Sequence, residues 1–331
     1  NMRVQWHVPG VPISVFQAGL HDFQFSGTVG WCWEEATWAG KHTGPDDQLI
    51  ISAEMETPDA VVLSPEGFAA SMVPALLKAP KEVAMFLRCV GAPSVDDLAP
   101  AWSSLLRLVP RLNGIAALSE IERGPIEEWA RHRGYRGRVE TIPLGAAVLP
   151  DVDVSTRQGV AYLGRVFFAE KGIDLLIQAA ERLPDIPFYF ATARGTELEN
   201  TIKLKRRLVS VPNARLTHCG IGGRAALLQK VRVVAVLGKT DWQWLPGTEI
   251  RGAHGVAMAG QGTPVEKWNG DGLFYFDGLE NLVSSIRRFH EDDAAFEAEA
   301  ARQHRRFLDR GMSAGAVGRK LWDWIQAGVH A

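Results

Sequence analysis

Short apolar runs alternate with helix-like patterns along most of the chain, and this alternation constrains the fold more than any other feature. Val231–Leu237 is nearly all apolar, which is typical of a strand buried on both faces of a sheet. Val160–Leu163 is another such run; it ends in a glycine, and a helical pattern starts at Ile173. Strands that alternate with helices predict mostly parallel sheets covered on both faces, which is the α/β class.

The alternation falls into two halves, as a chain of 331 residues allows. The polar segment Pro150–Arg157 has no periodicity and predicts a linker between them. We therefore expect domains at residues 1–150 and 157–310, with a last helix over 311–331. We also expect a loop with one short helix in Gly19–Gly44, a helix over Gly247–Gly260, and a short strand at Pro264-Val265.

The composition is that of a soluble globular protein, with 46% hydrophobic and 22% charged residues. A net charge of -2 argues against a general polyanion binder. The three cysteines, Cys32, Cys89 and Cys219, are scattered, which predicts a reducing compartment without disulfides or a metal site. A strand-like run at the start leaves no room for a signal peptide, and no apolar stretch reaches ~20 residues. We expect a cytoplasmic protein.

Two cations flank the turn that follows Val160–Leu163. Arg165 comes directly after Gly164, and Lys171 precedes Gly172 and the helix. Backbone N–H groups at a helix start favour phosphate, and the two side chains would add charge-assisted hydrogen bonds. The pair is equally compatible with solvated cations on an ordinary strand–helix unit.

Four stretches together resemble GT-B glycosyltransferases, and among them the retaining mannosyl- and glucosyltransferases of family four. The resemblance covers residues 114–288. It rests on Ala117-Leu118-Ser119-Glu120 with Val139–Gly145, on Gly164-Arg165 with Lys171-Gly172, on His218-Cys219-Gly220-Ile221, and on Glu249-Ile250-Arg251-Gly252 through Gly262-Thr263-Pro264-Val265.

The resemblance implies two Rossmann-like domains with a cleft between them and a C-terminal helix that returns to the N-terminal domain. It implies transfer of a sugar, with retention, from a UDP- or GDP-linked donor to an acceptor hydroxyl. No cofactor or metal is expected, in line with the missing Asp-x-Asp motif. Arg165 and Lys171 would hold the diphosphate. The implied donor-binding residues are Gly10, Gly164, Arg165, Lys171, Gly220, Ile221, Glu249, Ile250, Arg251 and Gly252.

The acidic donor motif departs from the family pattern, in which two glutamates are separated by seven residues. The first usually contacts the sugar and the second the ribose. Glu249 matches the first, but Ala257 or Val256 stands where the second is expected, and neither side chain accepts a hydrogen bond. The ribose contact is then made elsewhere, the nucleotide differs, or this copy has lost activity. Glu249 could also simply complement a helix dipole.

The N-terminal half offers further candidates near the expected carboxyl ends of strands, where open α/β sheets bind ligands. His21 and Asp22 are candidates for a catalytic base and its orienting group, or for a plain surface pair. The candidates for acceptor contacts are Trp31, Trp33, Glu66 and Arg88. Tryptophan faces stack on sugars and bases, but core packing is the usual role of Trp, and Glu66 could be a simple first-turn acid.

Two basic runs, Lys203–Arg207 and Arg131–Arg138, are usually solvated faces. If both lined the cleft they could follow DNA phosphates, with aromatic side chains accepting an extruded base. A phage-type DNA-base glycosyltransferase, acting in a host cytoplasm, is therefore one alternative. A non-catalytic nucleotide-sugar or glycan-binding protein is another, because of the missing second glutamate.

Overall fold

The computed structural model describes residues 2–7, 27–52, 58–63, 73–88, 106–192, 198–219, 221–238 and 245–330. The described chain forms two compact units, one containing residues up to Leu144 together with Ala314 onward, the other Gly145–Ser313. Each unit is built on a six-stranded sheet whose strands all pair in parallel. The expected α/β class with two halves is confirmed.

The first unit has the strand order β2-β1-β3-β4-β5-β6. Strands β3 to β5 are fully buried, as expected for a parallel sheet covered on both faces. The strands are β1 Arg3–His7, β2 Gln48–Ser52, β3 Ala60–Leu63, β4 Ala84–Arg88, β5 Gly114–Ala117 and β6 Val139–Thr141. The helices are α1 Gly27–Gly40, α2 Val73–Lys78 and α3 Glu120–Arg131, with a 3₁₀ turn at Val109–Arg111.

The second unit has the order β12-β11-β10-β7-β8-β9. Its strands are β7 Val160–Leu163, β8 Phe188–Thr192, β9 Ala214–His218, β10 Val233–Val236, β11 Val256–Gly260 and β12 Phe274–Phe276. Its helices are α4 Phe168–Lys171, α5 Ile173–Arg182, α6 Leu198–Leu208, α7 Ile221–Lys230, α8 Leu245–Gly252, α9 Pro264–Asn269, α10 Gly278–Glu291 and α11 Asp293–Asp309, with 3₁₀ turns at Val154–Thr156 and Gly270–Gly272. Among the helices of the described ranges, none is long and apolar enough to cross a membrane.

The last helix, α12 Ala314–Val329, packs on the first unit, as expected. Its Trp324 meets the ring of Phe86 edge-on, with 5.0 Å between centroids. Gly318 allows close packing, because a Cβ there would lie 2.4 Å from the carbonyl oxygen of Trp38. The chain therefore returns to its first sheet.

Three local expectations are wrong. Gly247–Gly260 is not one helix: α8 ends at Gly252, His254 adopts a positive φ of 57°, and β11 follows. Pro264 begins a helix rather than a strand, because its fixed φ suits the first helical turn. Helix α1 has 14 residues, longer than the short helix expected there.

The polar segment Pro150–Arg157 belongs to the second unit and is not a linker. Arg157 explains this, because its buried guanidinium donates to the carbonyls of Leu228 and Val231, at 3.2 and 3.1 Å. Buried guanidinium groups are stable only when their donors are satisfied. These hydrogen bonds hold the segment to α7 and to the residue that follows it, within the second unit.

Arg88 was expected to contact an acceptor, and the structure corrects this. Its side chain is fully buried and paired with Glu35 on α1, with N–O distances of 3.1 and 2.8 Å. The remaining donors reach carbonyl oxygens of Ala117, Ile142 and Pro143. All five N–H donors of the guanidinium are therefore used within the first unit.

Replacing Arg88 with methionine should lower the free energy of unfolding by about 3–5 kcal/mol, because Glu35 would remain as a buried, unpaired carboxylate. Urea titration followed by circular dichroism measures this loss. The double variant Glu35→Leu/Arg88→Met should recover part of the stability, since it leaves no isolated charge. A single variant as stable as the wild type would show that the pair does not hold α1 to the sheet.

His290 makes the stability of the second unit depend on pH. Its Nε2 accepts the Gly159 N–H at 2.8 Å, and its Nδ1 lies 2.9 Å from the Ile286 carbonyl oxygen, so the neutral ring satisfies both contacts. Burial lowers the pKa of His290, and burial together with the stacked His304 lowers the pKa of His254. As the pH falls, the unfolded chain therefore takes up protons before the folded one.

The free energy of unfolding should thus fall as the pH drops below about 6.5, the ordinary histidine pKa. The variant His290→Gln should show a shallower decline over that range in urea titrations at a series of pH values. His132→Gln is the matched control, because His132 is 69% exposed. An unchanged slope in His290→Gln would contradict this assignment.

Candidate functional site

The second sheet has its topological switch point at β7. The chain continues from β7 through β8 to β9 on one side, while β10, β11 and β12 lie on the other side. Because all strands are parallel, they end at a common edge, called here the carboxyl edge. In open α/β sheets, ligands bind at this edge, beside the switch point.

The segment after β7 is fixed against the end of β10. Gly172, between α4 and α5, has a φ of 60°, and a Cβ there would lie 2.7 Å from Cβ of Leu237, which directly follows β10. Tyr162 donates its hydroxyl to the carbonyl oxygen of Arg165 at 2.5 Å. These contacts position the loop after β7 and the start of α5 at the switch point.

Arg165 and Lys171 both lie in this segment. Arg165 is exposed and its guanidinium lies 4.7 Å from the ring centroid of Phe167. Lys171 is half-buried; burial lowers its pKa, Glu170 opposes this effect, and the positive charge of Arg165 lowers the pKa further. The positive charges of Arg165 and Lys171 therefore repel each other beside the first turn of α5. A bound anion there would offset the repulsion between the two positive charges.

Glu249 lies on α8, which follows β10. Its Oε1 is 2.6 Å from Nη2 of Arg224 on α7, and its side chain is 11% exposed. Its Oε2 is buried and accepts no hydrogen bond from the residues that the structure covers. Burial raises the pKa of Glu249, and Arg224 opposes this shift. The carboxylate is thus held by one oxygen, while the other has an unfilled acceptor position.

The sequence reasoning missed Arg224. Its guanidinium also acts on Cys219, since its charge opposes the rise that burial causes in the pKa of the thiol. The available signal was its position, three residues after the stretch His218-Cys219-Gly220-Ile221 that resembles the donor-binding family.

The structure also clarifies the acidic motif. Val256 and Ala257 lie in β11 and are fully buried, so no side chain at these positions faces a ligand. A second acidic position placed after Glu249 at the family spacing would therefore lie in the core, on β11. Counting backwards, Asp241 is separated from Glu249 by seven residues. Asp241 lies outside the described residues.

Three of the residues expected to bind the donor lie on α8 and are buried. The side chain of Ile250 is fully buried among the apolar residues between the helices and the sheet. Arg251 is also fully buried, and it donates to the Gly247 carbonyl at 3.0 Å and to Thr248 Oγ1 at 3.3 Å. Gly252 is packed so closely that a Cβ would lie 2.3 Å from the Ala147 carbonyl oxygen. These residues face the interior of the second unit.

The remaining site predictions stay predictions. Gly10, His21, Asp22, Glu66 and Gly220 lie outside the described residues. Trp31 and Trp33 belong to α1 and Ile221 begins α7, but their side chains lie outside the described part. Within the described part, no group of three or more His, Cys, Asp or Glu side chains could hold a metal ion.

Comparison with known proteins gives the fold a context. No family model matches the chain, and no curated protein sequence matches it at a significant level. Among solved structures, HepE from Anabaena in complex with UDP-glucose is similar, with a TM-score of 0.71, 12% identity and coverage of 99% of this chain and 100% of that one. A glycosyltransferase from Rickettsia africae has a TM-score of 0.69, 10% identity and 99% coverage of both chains.

TarM is also similar, with a TM-score of 0.60, 12% identity and coverage of 80% of this chain. The chain spans only 54% of the length of TarM. At these identities the likeness shows the fold alone: two α/β units on parallel sheets, as in GT-B glycosyltransferases.

Proposed function

We propose that the protein transfers a sugar from a nucleoside-diphosphate sugar to an acceptor hydroxyl. The observation that carries the proposal is the position of Arg165 and Lys171, beside the start of α5 at the switch point of the second sheet. This arrangement suits a diphosphate, and Glu249 on α8, which follows the adjacent strand β10, offers a hydrogen-bond acceptor for a sugar or ribose hydroxyl.

The chemistry requires stabilisation of the leaving diphosphate, which gains negative charge as the bond to the sugar breaks. Arg165, Lys171 and the first N–H groups of α5 would supply charge-assisted hydrogen bonds where that charge develops. In this proposal the cations and the helix start perform this neutralisation without a metal ion. Retention at the anomeric carbon is the outcome implied by the family resemblance.

We assign Glu249 to the ribose rather than to the transferred sugar. The two acids of the family motif are separated by seven residues, and Asp241 and Glu249 have this separation when Glu249 is the second acid. The placement of Glu249 on α8, with β11 following, supports that alignment. Arg224 would hold one oxygen of the carboxylate, so that the other faces the ribose hydroxyls.

The donor is proposed to carry UDP. HepE, which has the same fold over nearly the whole chain, was crystallised with UDP-glucose, and TarM with UDP. GDP-linked donors are the second choice.

Donor binding tests the diphosphate site. Arg165→Ala and Lys171→Ala should each weaken binding of the preferred nucleoside diphosphate by about tenfold or more, because each removes a charge-assisted contact. Calorimetric titration with UDP, GDP, UDP-glucose and GDP-glucose measures the change in the dissociation constant. Arg182→Ala is the matched control, since Arg182 lies at the other end of α5, paired with Glu280. Full transfer by Arg165→Ala would refute the proposed role.

The ribose contact has its own test. In Glu249→Gln the advantage of UDP over 2′,3′-dideoxy-UDP should shrink by about tenfold, because a neutral amide is a weaker acceptor than a carboxylate. Glu280→Gln, at an exposed carboxylate on α10, should leave the ratio unchanged. If Glu249→Gln discriminates as well as the wild type, another group holds the ribose.

The acceptor remains a prediction, and DNA is one candidate. The two basic runs lie in different units, and within Arg131–Arg138 several side chains have local partners: Arg131 pairs with Glu127, and Arg133 stacks on Trp129. A DNA acceptor requires binding to duplex DNA that weakens with salt, and absence of binding at low salt would exclude it. A cytoplasmic location likewise remains a prediction.

The non-catalytic alternative rested on the missing second glutamate. With Glu249 as the second acid, that argument loses its basis. Incubation with donor and a panel of acceptors separates the two functions: binding without release of nucleoside diphosphate would favour the binding protein.

A further inference from the structure

Helix α6 and the residue that follows it carry an exposed apolar stripe, which consists of Leu198, Ile202 and Val209. These side chains are 68%, 43% and 84% exposed, and they make up half of the six large exposed hydrophobic side chains in the described ranges. The spacing of four residues places Leu198 and Ile202 on one side of the helix, and Val209 lies in the turn directly after its last residue, Leu208. Leu204 and Leu208 are buried and form the side that packs on the sheet. The stripe is therefore not part of the core.

Cations are interleaved with the stripe. Lys205 and Arg206 lie between Ile202 and Val209, both are exposed, and neither makes an ion pair with a described residue. The other two cations of the helix are held elsewhere. Lys203 lies 4.6 Å from the ring centroid of Phe168, and Arg207 pairs with Asp174. The outward surface of α6 thus presents apolar side chains together with two cations, Lys205 and Arg206, and one exposed carboxylate, Glu199.

We propose that this surface of α6 docks on an anionic lipid bilayer, with the helix lying in the plane of the interface. Lys205 and Arg206 would meet anionic headgroups, while Leu198, Ile202 and Val209 would enter the boundary between headgroups and acyl chains. Interfacial helices combine these same two features, and each Lys or Arg near an anionic surface strengthens the binding.

Two other occupants fit the surface less well. In a symmetric dimer the same patch meets itself, and because Lys205 and Arg206 outnumber Glu199 in each copy, the two patches would repel each other. Duplex DNA would satisfy the two cations, but the three apolar side chains would gain nothing against phosphates. A bilayer is the partner that uses both halves of the surface.

Vesicle flotation of the full chain tests the proposal, with phosphatidylcholine vesicles compared with vesicles containing 30% phosphatidylglycerol. The wild type should bind the anionic vesicles at least about tenfold more tightly than the neutral ones, and high salt should weaken this binding. Leu198→Gln/Ile202→Gln/Val209→Gln and Lys205→Gln/Arg206→Gln should each lose about tenfold or more.

Matched controls alter exposed side chains elsewhere. Ile121→Gln/Leu308→Gln removes exposed apolar groups on α3 and α11, and Arg319→Gln/Lys320→Gln removes exposed cations on α12. Both should bind anionic vesicles like the wild type. If the triple variant loses helix content in circular dichroism, Ile202→Gln alone provides the same comparison with a smaller change.

Three results would overturn the proposal. The first is equal binding to neutral and anionic vesicles, or α6 variants that bind as the wild type does. The second is a concentration-dependent dimer that the apolar variant abolishes, which would make the stripe an interface between copies. The third is salt-dependent binding to duplex DNA that the cation variant loses and the apolar variant keeps.

Discussion

The close approach of Gly172 to Leu237 is the constraint on which the candidate site depends. It brings the segment after β7 against the end of β10, across the switch point of the second sheet. Only glycine suits both the positive φ and the packing found there, because a Cβ at this position would lie less than 3 Å from Cβ and from the carbonyl oxygen of Leu237. Gly172 lies between two helices: Lys171 is the last residue of α4, and Ile173 is the first residue of α5. The position of the cation and of the helix start therefore follows from a packing requirement.

The alternation of strands and helices was readable from sequence because buried parallel strands are almost purely apolar. Val233–Val236 is entirely aliphatic, and Val160–Leu163 is aliphatic apart from Tyr162, so both are recognised as buried strands. The prediction failed where one short segment had to reverse direction. The pattern in Gly247–Gly260 reads as a weak helix, but Gly252 packs against the Ala147 carbonyl and His254 takes a positive φ. Such tertiary contacts between distant segments leave no periodic signal.

Part of the site was equally predictable. Arg165 and Lys171 follow from a strand, a glycine turn and a helix start, which are all local features. Glu249 was identified, whereas the proposal that it is the second acid of the motif depends on where α8 ends and β11 begins. Arg224 was missed because its partner Glu249 lies 25 residues away in the chain and on another helix. Local patterns therefore identify the phosphate side of a site better than the side built from facing helices.

Arginine shows most clearly why residue type alone does not reveal function in this chain. Arg88, Arg157 and Arg251 are all fully buried, and each donates to at least one backbone carbonyl oxygen within its own unit. Arg165 differs because it is exposed, with its guanidinium 4.7 Å from the ring centroid of Phe167. A buried guanidinium whose donors point at carbonyls fixes the fold, since it has little left to offer a ligand. The distinction is a matter of burial and donor use, and only the folded chain determines both.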